Sequence, residues 1–129
     1  MEEILLTVNE KEWVDIRSGK KTMIVKRNKP QMIFYPFRVI VYIPDEQIVV
    51  GKFDCDFTLK TIRPEALAKE CCMTEKEILQ LSNGKALCWW HVKAGSVVEY
   101  ERYFTLEEAT GIKKYTGYWR YLNRDEQDE

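Results

Sequence analysis

The stretch Val49-Val50-Gly51-Lys52-Phe53-Asp54-Cys55-Asp56-Phe57 alternates between two faces. Val49, Gly51, Phe53, Cys55 and Phe57 fall on one side, and Lys52, Asp54 and Asp56 on the other. A period of two is that of a β-strand with one face in a core and the other toward water. Gly51 inside it predicts a bulge or a barrel corner, because a glycine weakens a regular strand but lets the backbone bend or a neighbour approach. The strand is expected from Gln47 to Phe57 after a turn at Pro44-Asp45.

Working outward, Phe37 to Ile43 is apolar on both faces apart from Arg38, as in a strand covered on two sides. Ile4 to Val8 reads as an opening strand. Asn9 stands three residues before Glu12, a polar helix start of the capping-box type. Trp13, Ile16 and Arg17 share a face of that helix, with Val14 beside it, and Gly19 stops it after about ten residues. Lys20 to Arg27 is extended, with Thr22, Ile24 and Lys26 on one face and Lys21, Met23, Val25 and Arg27 on the other; Asn28-Lys29-Pro30 breaks it. Residues 31 to 36 form a connecting loop carrying Phe34 and Tyr35. Pro64 suits the first turn of a helix. Thr74 with Glu77 and Thr105 with Glu108 are two further capping boxes, the helices closing at Asn83-Gly84 and Gly111. Lys85 to Val92 and Val97 to Phe104 read as a hairpin joined through Lys93-Ala94-Gly95-Ser96, and Tyr118 to Leu122 as a last aromatic strand. Strands mixed with short helices in this order predict an α+β fold: a mixed barrel of about five to seven strands with helices packed on its openings.

The chain of 129 residues fits one domain, expected over residues 1–122, with an acidic tail at 123–129. Its 45% hydrophobic and 32% charged content is that of a folded protein rather than a disordered one. The formal charge of −1 excludes a histone-like basic protein, but it hides an asymmetry. Arg124 against Asp125, Glu126, Asp128 and Glu129 leaves the tail at −3 and the body at +2, so a local basic face is compatible with the composition. The tail is most simply a frayed terminus. No apolar run reaches the roughly 20 residues that span a bilayer, and the acidic start Met1-Glu2-Glu3 lacks a secretory pattern. No membrane partner is expected. Cys55, Cys71, Cys72 and Cys88 have no zinc-type spacing, so they are expected to be reduced thiols in a cytoplasmic protein, without metal or cofactor.

Several stretches together resemble the ASCH (activating-signal-cointegrator homology) branch of the PUA-like superfamily. They are Ile4-Leu5-Leu6-Thr7-Val8, Ser18-Gly19-Lys20-Lys21-Thr22, Lys26-Arg27 with Pro30, Val49-Val50-Gly51-Lys52-Phe53, Trp90-His91-Val92 and Trp119-x-Tyr121. The likeness runs from about residue 4 to residue 122 and is greatest to small members encoded by bacterial phages and mobile elements. Some ASCH proteins are amidohydrolases on an N4-acylated cytidine, with a lysine just after the glycine, a threonine in the next strand and a downstream glutamate. Lys21 matches the lysine. Ile24 occupies the threonine position, and an aliphatic side chain is no nucleophile. The glutamate falls near Glu70 or Cys71. A Tyr115-Thr116 pair replaces the prolines before the closing strand. The resemblance thus implies the fold without its known catalysis.

The candidate ligand-binding residues are Lys20, Lys21, Lys26 and Arg27, which suit phosphate or a base edge, and Trp90, Trp119, Arg120 and Tyr121. The aromatics, with Trp89 and Tyr118, supply faces on which an unpaired base stacks. Each group also has a plain structural reading, as lysines blunting a strand edge and as aromatics filling a core. Trp89 and Trp90 point to opposite faces, so one of them is expected at a groove. His91, the only histidine, has no evident nucleophile beside it, and Cys71 and Cys72 read as small buried hydrophobes. The leading expectation is a non-catalytic module for RNA or a modified nucleotide, held between the barrel and the first helix. The alternatives are a hydrolase of an acylated nucleoside using Lys21 with Glu70 as base, and a protein-interaction module of a mobile element. Oligomeric state is left open.

Overall fold

Each α-helix begins at the polar residue marked for it. In the computed structural model, which describes residues 1–122 and residue 124, helix α1 (Glu10–Arg17) starts at Asn9. The Asn9 side chain accepts from the Glu12 backbone N–H at 2.8 Å, and the Glu12 carboxylate accepts from the Asn9 N–H at 3.4 Å. Thr74 and Glu77 start α2 (Glu75–Ser82), and Thr105 and Glu108 start α3 (Leu106–Thr110), in the same reciprocal way. These bonds satisfy donors that the first helical turn leaves unpaired. Gly111 closes α3 in the left-handed region at φ 79°, and Pro64 opens a single 3-10 turn, Pro64–Leu67. Helix α1 is shorter than expected, and its Arg17 and Val14 are exposed while Trp13 and Ile16 are buried.

The strands are β1 (Glu3–Thr7), β2 (Met23–Lys26), β3 (Phe37–Ile43), β4 (Ile48–Thr61), β5 (Leu87–Val92), β6 (Val98–Phe104) and β7 (Trp119–Tyr121). They form one seven-stranded sheet in the order β2-β5-β4-β3-β1-β7, with β6 attached to β4. Among the described residues β1 and β3 run parallel and the other pairings are antiparallel. The sheet curls into a half-barrel, and with the three helices it gives the α+β architecture expected.

Strand β4 organises the curl. Opposite β3, Tyr42 pairs with Val49 and Val41 with Gly51, so Val50 is the extra residue of a bulge. Val49 therefore joins Leu5, Ile40, Tyr42 and Leu106, while Val50 turns to the larger interior cluster with Trp13 and Phe53. Gly51 is required at the bend: a Cβ there would lie 2.7 Å from the Trp13 ring and also strike the Val98 carbonyl. A second irregularity, between Cys55 and Thr58 opposite β5, corrects the expectation for Phe57. The extra residue breaks the alternation, leaving Phe57 40% exposed and stacked on His91 at 4.5 Å.

Strands β5 and β6 are not a hairpin. Both pair with β4, β5 along Cys55 to Thr61 and β6 along Val49 to Lys52. They lie end to end on the edge that β3 leaves free. The connection follows that edge, with Lys93 N–H donating to the Asp54 carbonyl at 2.9 Å and Asp54 N–H to Ser96 Oγ at 2.9 Å.

The sheet is covered on both faces around β2 and β5. Ile24 and Trp90 belong to the half-barrel interior, and Met23, Val25, Leu87 and Trp89 pack with Cys71, in the turn after the 3-10 segment, and with Ile78 of α2. Both Trp89 and Trp90 are 0% exposed. This corrects the expectation that one of them faces a groove: the inserted helices cover the outer face and the half-barrel the inner one. The four cysteines are free thiols, and burial pushes that of Cys55 up to about 12. Among the described residues no group of His, Cys, Asp and Glu is placed to hold a metal ion, and no helix is long and apolar enough to cross a membrane. The expected acidic tail lies outside the described residues except for Arg124, which is tied to Glu2 at 2.8 Å.

Candidate functional site

Strands β2 and β7 end the strand order on opposite sides, and among the described residues they form no ladder with each other. Asn28 spans the gap at one end. Its side-chain oxygen accepts from Trp119 Nε1 at 2.8 Å and its carbonyl from Trp90 Nε1 at 3.2 Å. Beside that latch the seam opens into a cleft of about 1120 Å³. Its walls are the end of β2, the β7 aromatics, the outward side of α1 and the segment leading into α2.

Lys21 lines this cleft although it is only 4% exposed. Its Nζ donates to the Cys71 carbonyl at 3.0 Å and lies 3.6 Å from Glu12 Oε2. Glu12 thus has two tasks: one oxygen caps α1 and the other faces a buried cation. The turn after α1 sets the lysine there, through Lys21 N–H to the Asp15 carbonyl at 2.9 Å. A buried ammonium without such partners would carry a large desolvation cost.

Lys26 is held differently. It is half-buried, with its Nζ 5.7 Å from the centre of the Tyr118 ring, and among the described residues it makes no ion pair. Burial lowers its pKa below the ordinary 10.5, with Glu12 acting the other way and Lys21 adding to the fall. Arg27 beside it is exposed. Tyr118 shows 77% of its surface, and Trp119 is half-buried, edge-on to Trp90 at 5.3 Å and to Tyr121 at 5.2 Å. The Arg120 guanidinium lies over the Tyr115 ring at 6.0 Å, and the Tyr115 hydroxyl donates to the Trp119 carbonyl at 2.6 Å. On the helical side, Lys11 and Asp15 pair at 3.0 Å, and Glu77 and Cys72 face the same space. The cleft is therefore cationic and aromatic along β2 and β7 and mixed in charge along the helices.

No protein-family model matches the sequence, and no curated protein matches it. Solved structures do. The ASCH protein of Zymomonas mobilis superposes with a TM-score of 0.76, covering 98% of this chain and 90% of that one at 15% identity. Two point mutants of the same protein superpose at 0.75 and 0.76, with 16% and 14% identity. This chain has the ASCH fold. At such identity the likeness is one of shape, shared over almost the whole of both chains.

Within that ASCH fold, Lys21, Lys26, Arg27, Trp119, Arg120 and Tyr121 come together around the cleft. Two expected ligand residues do not. Lys20 is exposed on the turn before β2 and Trp90 is buried behind Trp119. Glu70 is also outside the lining: its backbone carbonyl accepts from Thr22 and Met23, and one carboxylate oxygen is buried without a hydrogen bond. The acid beside Lys21 is Glu12 instead, which sequence shows only as a capping residue. Ile24 is turned into the half-barrel interior, so no hydroxyl stands at that position. His91 is away from the cleft, 2.6 Å from Asp56. Asn28 was legible only as a strand breaker, and its latch depends on two tryptophans far along the chain.

Proposed function

We propose that the seam cleft is a non-catalytic binding site for RNA or a nucleotide-like molecule. The observation that carries this reading is Lys26, a half-buried ammonium beside the open Tyr118 ring and without a carboxylate partner among the described residues. Such a cation is stabilised by an incoming phosphate, which restores the partner that burial removed. Arg27 adds a planar fork suited to phosphate oxygens, and Tyr118 and Trp119 offer faces to an unpaired base. Single-stranded nucleic acid is commonly held by this union of cationic groove and aromatic platform.

The test is binding of single-stranded RNA, structured RNA and free nucleotides over a range of salt. Affinity should fall with salt, because phosphate contacts release counterions. The pair Lys26→Glu and Arg27→Glu should weaken binding at least about tenfold, as expected of charge-assisted contacts worth about 1.5–3 kcal/mol each. Absence of binding, or indifference to that pair, sinks the reading.

The hydrolase reading has one observation in its favour, buried Lys21 beside Glu12 in the same cleft. Turnover of N4-acetylcytidine that disappears in Lys21→Ala would establish it.

A further inference from the structure

The loop between β2 and β3 leaves the cleft at Asn28 and carries the most exposed large apolar side chains of the described chain: Met32 at 94% and Phe34 at 88%. A floppy loop would explain this cheaply, but this one is pinned along its length. Gln31 N–H donates to the Tyr121 hydroxyl at 2.8 Å. Arg124 donates to the carbonyls of Gln31 at 3.0 Å and Met32 at 2.8 Å, with its guanidinium stacked 3.9 Å from the Tyr121 ring. Ile33 packs on the interior cluster, and the Tyr35 hydroxyl bonds Thr58 at 2.5 Å. Between these anchors Met32 takes a left-handed φ of 51°, uncommon for a side chain of its size. The backbone is held, and what it displays is Met32 and Phe34.

The chain that leads into the loop is cationic. Arg27 and Lys29 precede the loop, and Lys29 and Lys60 both bear on the Cys88 thiol, whose pKa burial raises and they lower. Cys88 itself donates to the Arg27 carbonyl at 3.9 Å, so Arg27, Lys29 and Lys60 gather at one end of the sheet. Phe34 follows Asn28 by six residues, a reach of at most about 20 Å. An exposed apolar platform on a loop that leaves the cleft wall at Asn28 and follows Arg27 and Lys29 in the chain suits the bases and backbone of a polynucleotide better than a purely apolar partner.

We infer that the Met32–Phe34 loop is a second contact for single-stranded RNA, stacking a base of a strand that leaves the cleft past Arg27 and Lys29. The inference rests on the cleft reading for its first contact. It makes the ligand a strand of several nucleotides instead of a lone nucleotide.

The experiment compares a labelled eight-nucleotide RNA with a nucleoside monophosphate on the full chain, with the paired variant Met32→Ser and Phe34→Ser. Both side chains are exposed, so melting should be unchanged. Loss of a stacking contact should weaken the eight-nucleotide RNA about five- to one-hundred-fold and leave the monophosphate unaffected. If the eight-nucleotide RNA responds to Lys26→Glu and Arg27→Glu but not to the loop pair, the loop inference falls and the cleft reading stands. If it responds to the loop pair alone, the cleft reading falls, and the inference of a second contact on a strand leaving the cleft falls with it. No RNA binding, or loop-dependent binding to vesicles of anionic lipid in its place, overturns both.

Discussion

Helix α1 meets the sheet on one side and borders the cleft on the other, and the two sides are built on different terms. On the closed side Trp13 lies over Gly51, and its Nε1 donates to Glu99 at 3.2 Å. Arg17 donates to the same carboxylate at 2.6 Å and the Tyr103 hydroxyl donates to it at 3.3 Å; with the Arg17 bond foremost, these donors hold the Glu99 carboxyl below its ordinary pKa. On the open side Lys11, Glu12 and Asp15 face space, with Lys26 across it making no ion pair among the described residues. Strand β6 covers the first side, while the second lies where β2 and β7 form no ladder with each other among the described residues. The stable side is apolar and close-packed; the available side retains charge that solvent or a ligand must satisfy.

Trp13→Ala should break the contrast most severely. Removing a buried tryptophan costs about 3–5 kcal/mol, and denaturant melts should show it. Gly51→Ala comes next, at about 1–3 kcal/mol, because its Cβ would sit 2.7 Å from the Trp13 ring. The double variant should lose less than the sum, since removing the ring relieves its part of the clash and leaves the Val98 carbonyl's; strict additivity would mean that position 51 and the ring do not meet. Asn9→Ala should cost about 1 kcal/mol through the lost cap. It also frees Glu12, so it links the closed helix to the open cleft: binding to the cleft should change with it, whereas Thr105→Ala should cost similar stability with no such effect.

The smallest effect should come from Lys26→Met, and it should have opposite signs in stability and binding. Burial holds the folded-state pKa of Lys26 below its unfolded value, so between the two values the unfolded chain binds more protons. Stability therefore rises with pH through that window, and the cost of the buried charge is fully present below it. Lys26→Met should melt slightly higher at neutral pH, lose that part of the alkaline slope and bind RNA less well. A lower melting temperature at neutral pH would show that the ammonium is already satisfied within the fold.

Several parts of this structure were readable without coordinates. The capping pairs Asn9–Glu12, Thr74–Glu77 and Thr105–Glu108 join residues three apart, and each forms as expected. The glycine-marked bend in β4 is likewise written in one segment. Phe57 was misplaced because the second irregularity in β4 depends on how β5 pairs with it. Gly95 suggested a hairpin, but β5 and β6 found separate stretches of the same β4 edge. The cleft was half legible. Lys21, Lys26 and Arg27 are neighbours in sequence, whereas Trp119, Arg120 and Tyr121 reach them because β7 pairs with β1.

By itself the sequence determined the helix starts, the glycine-marked strand, the run of strands and helices that resembles the ASCH fold, and the clustering of cations along β2. Each rests on bonds or periodicity within a few residues, where the chain has few alternatives. Tertiary structure decided which tryptophans are sealed, that Glu12 and not Glu70 attends Lys21, and that the half-barrel stays open between β2 and β7. Those outcomes depend on which distant surfaces cover one another, a balance of burial and pairing over the whole chain that no local stretch contains.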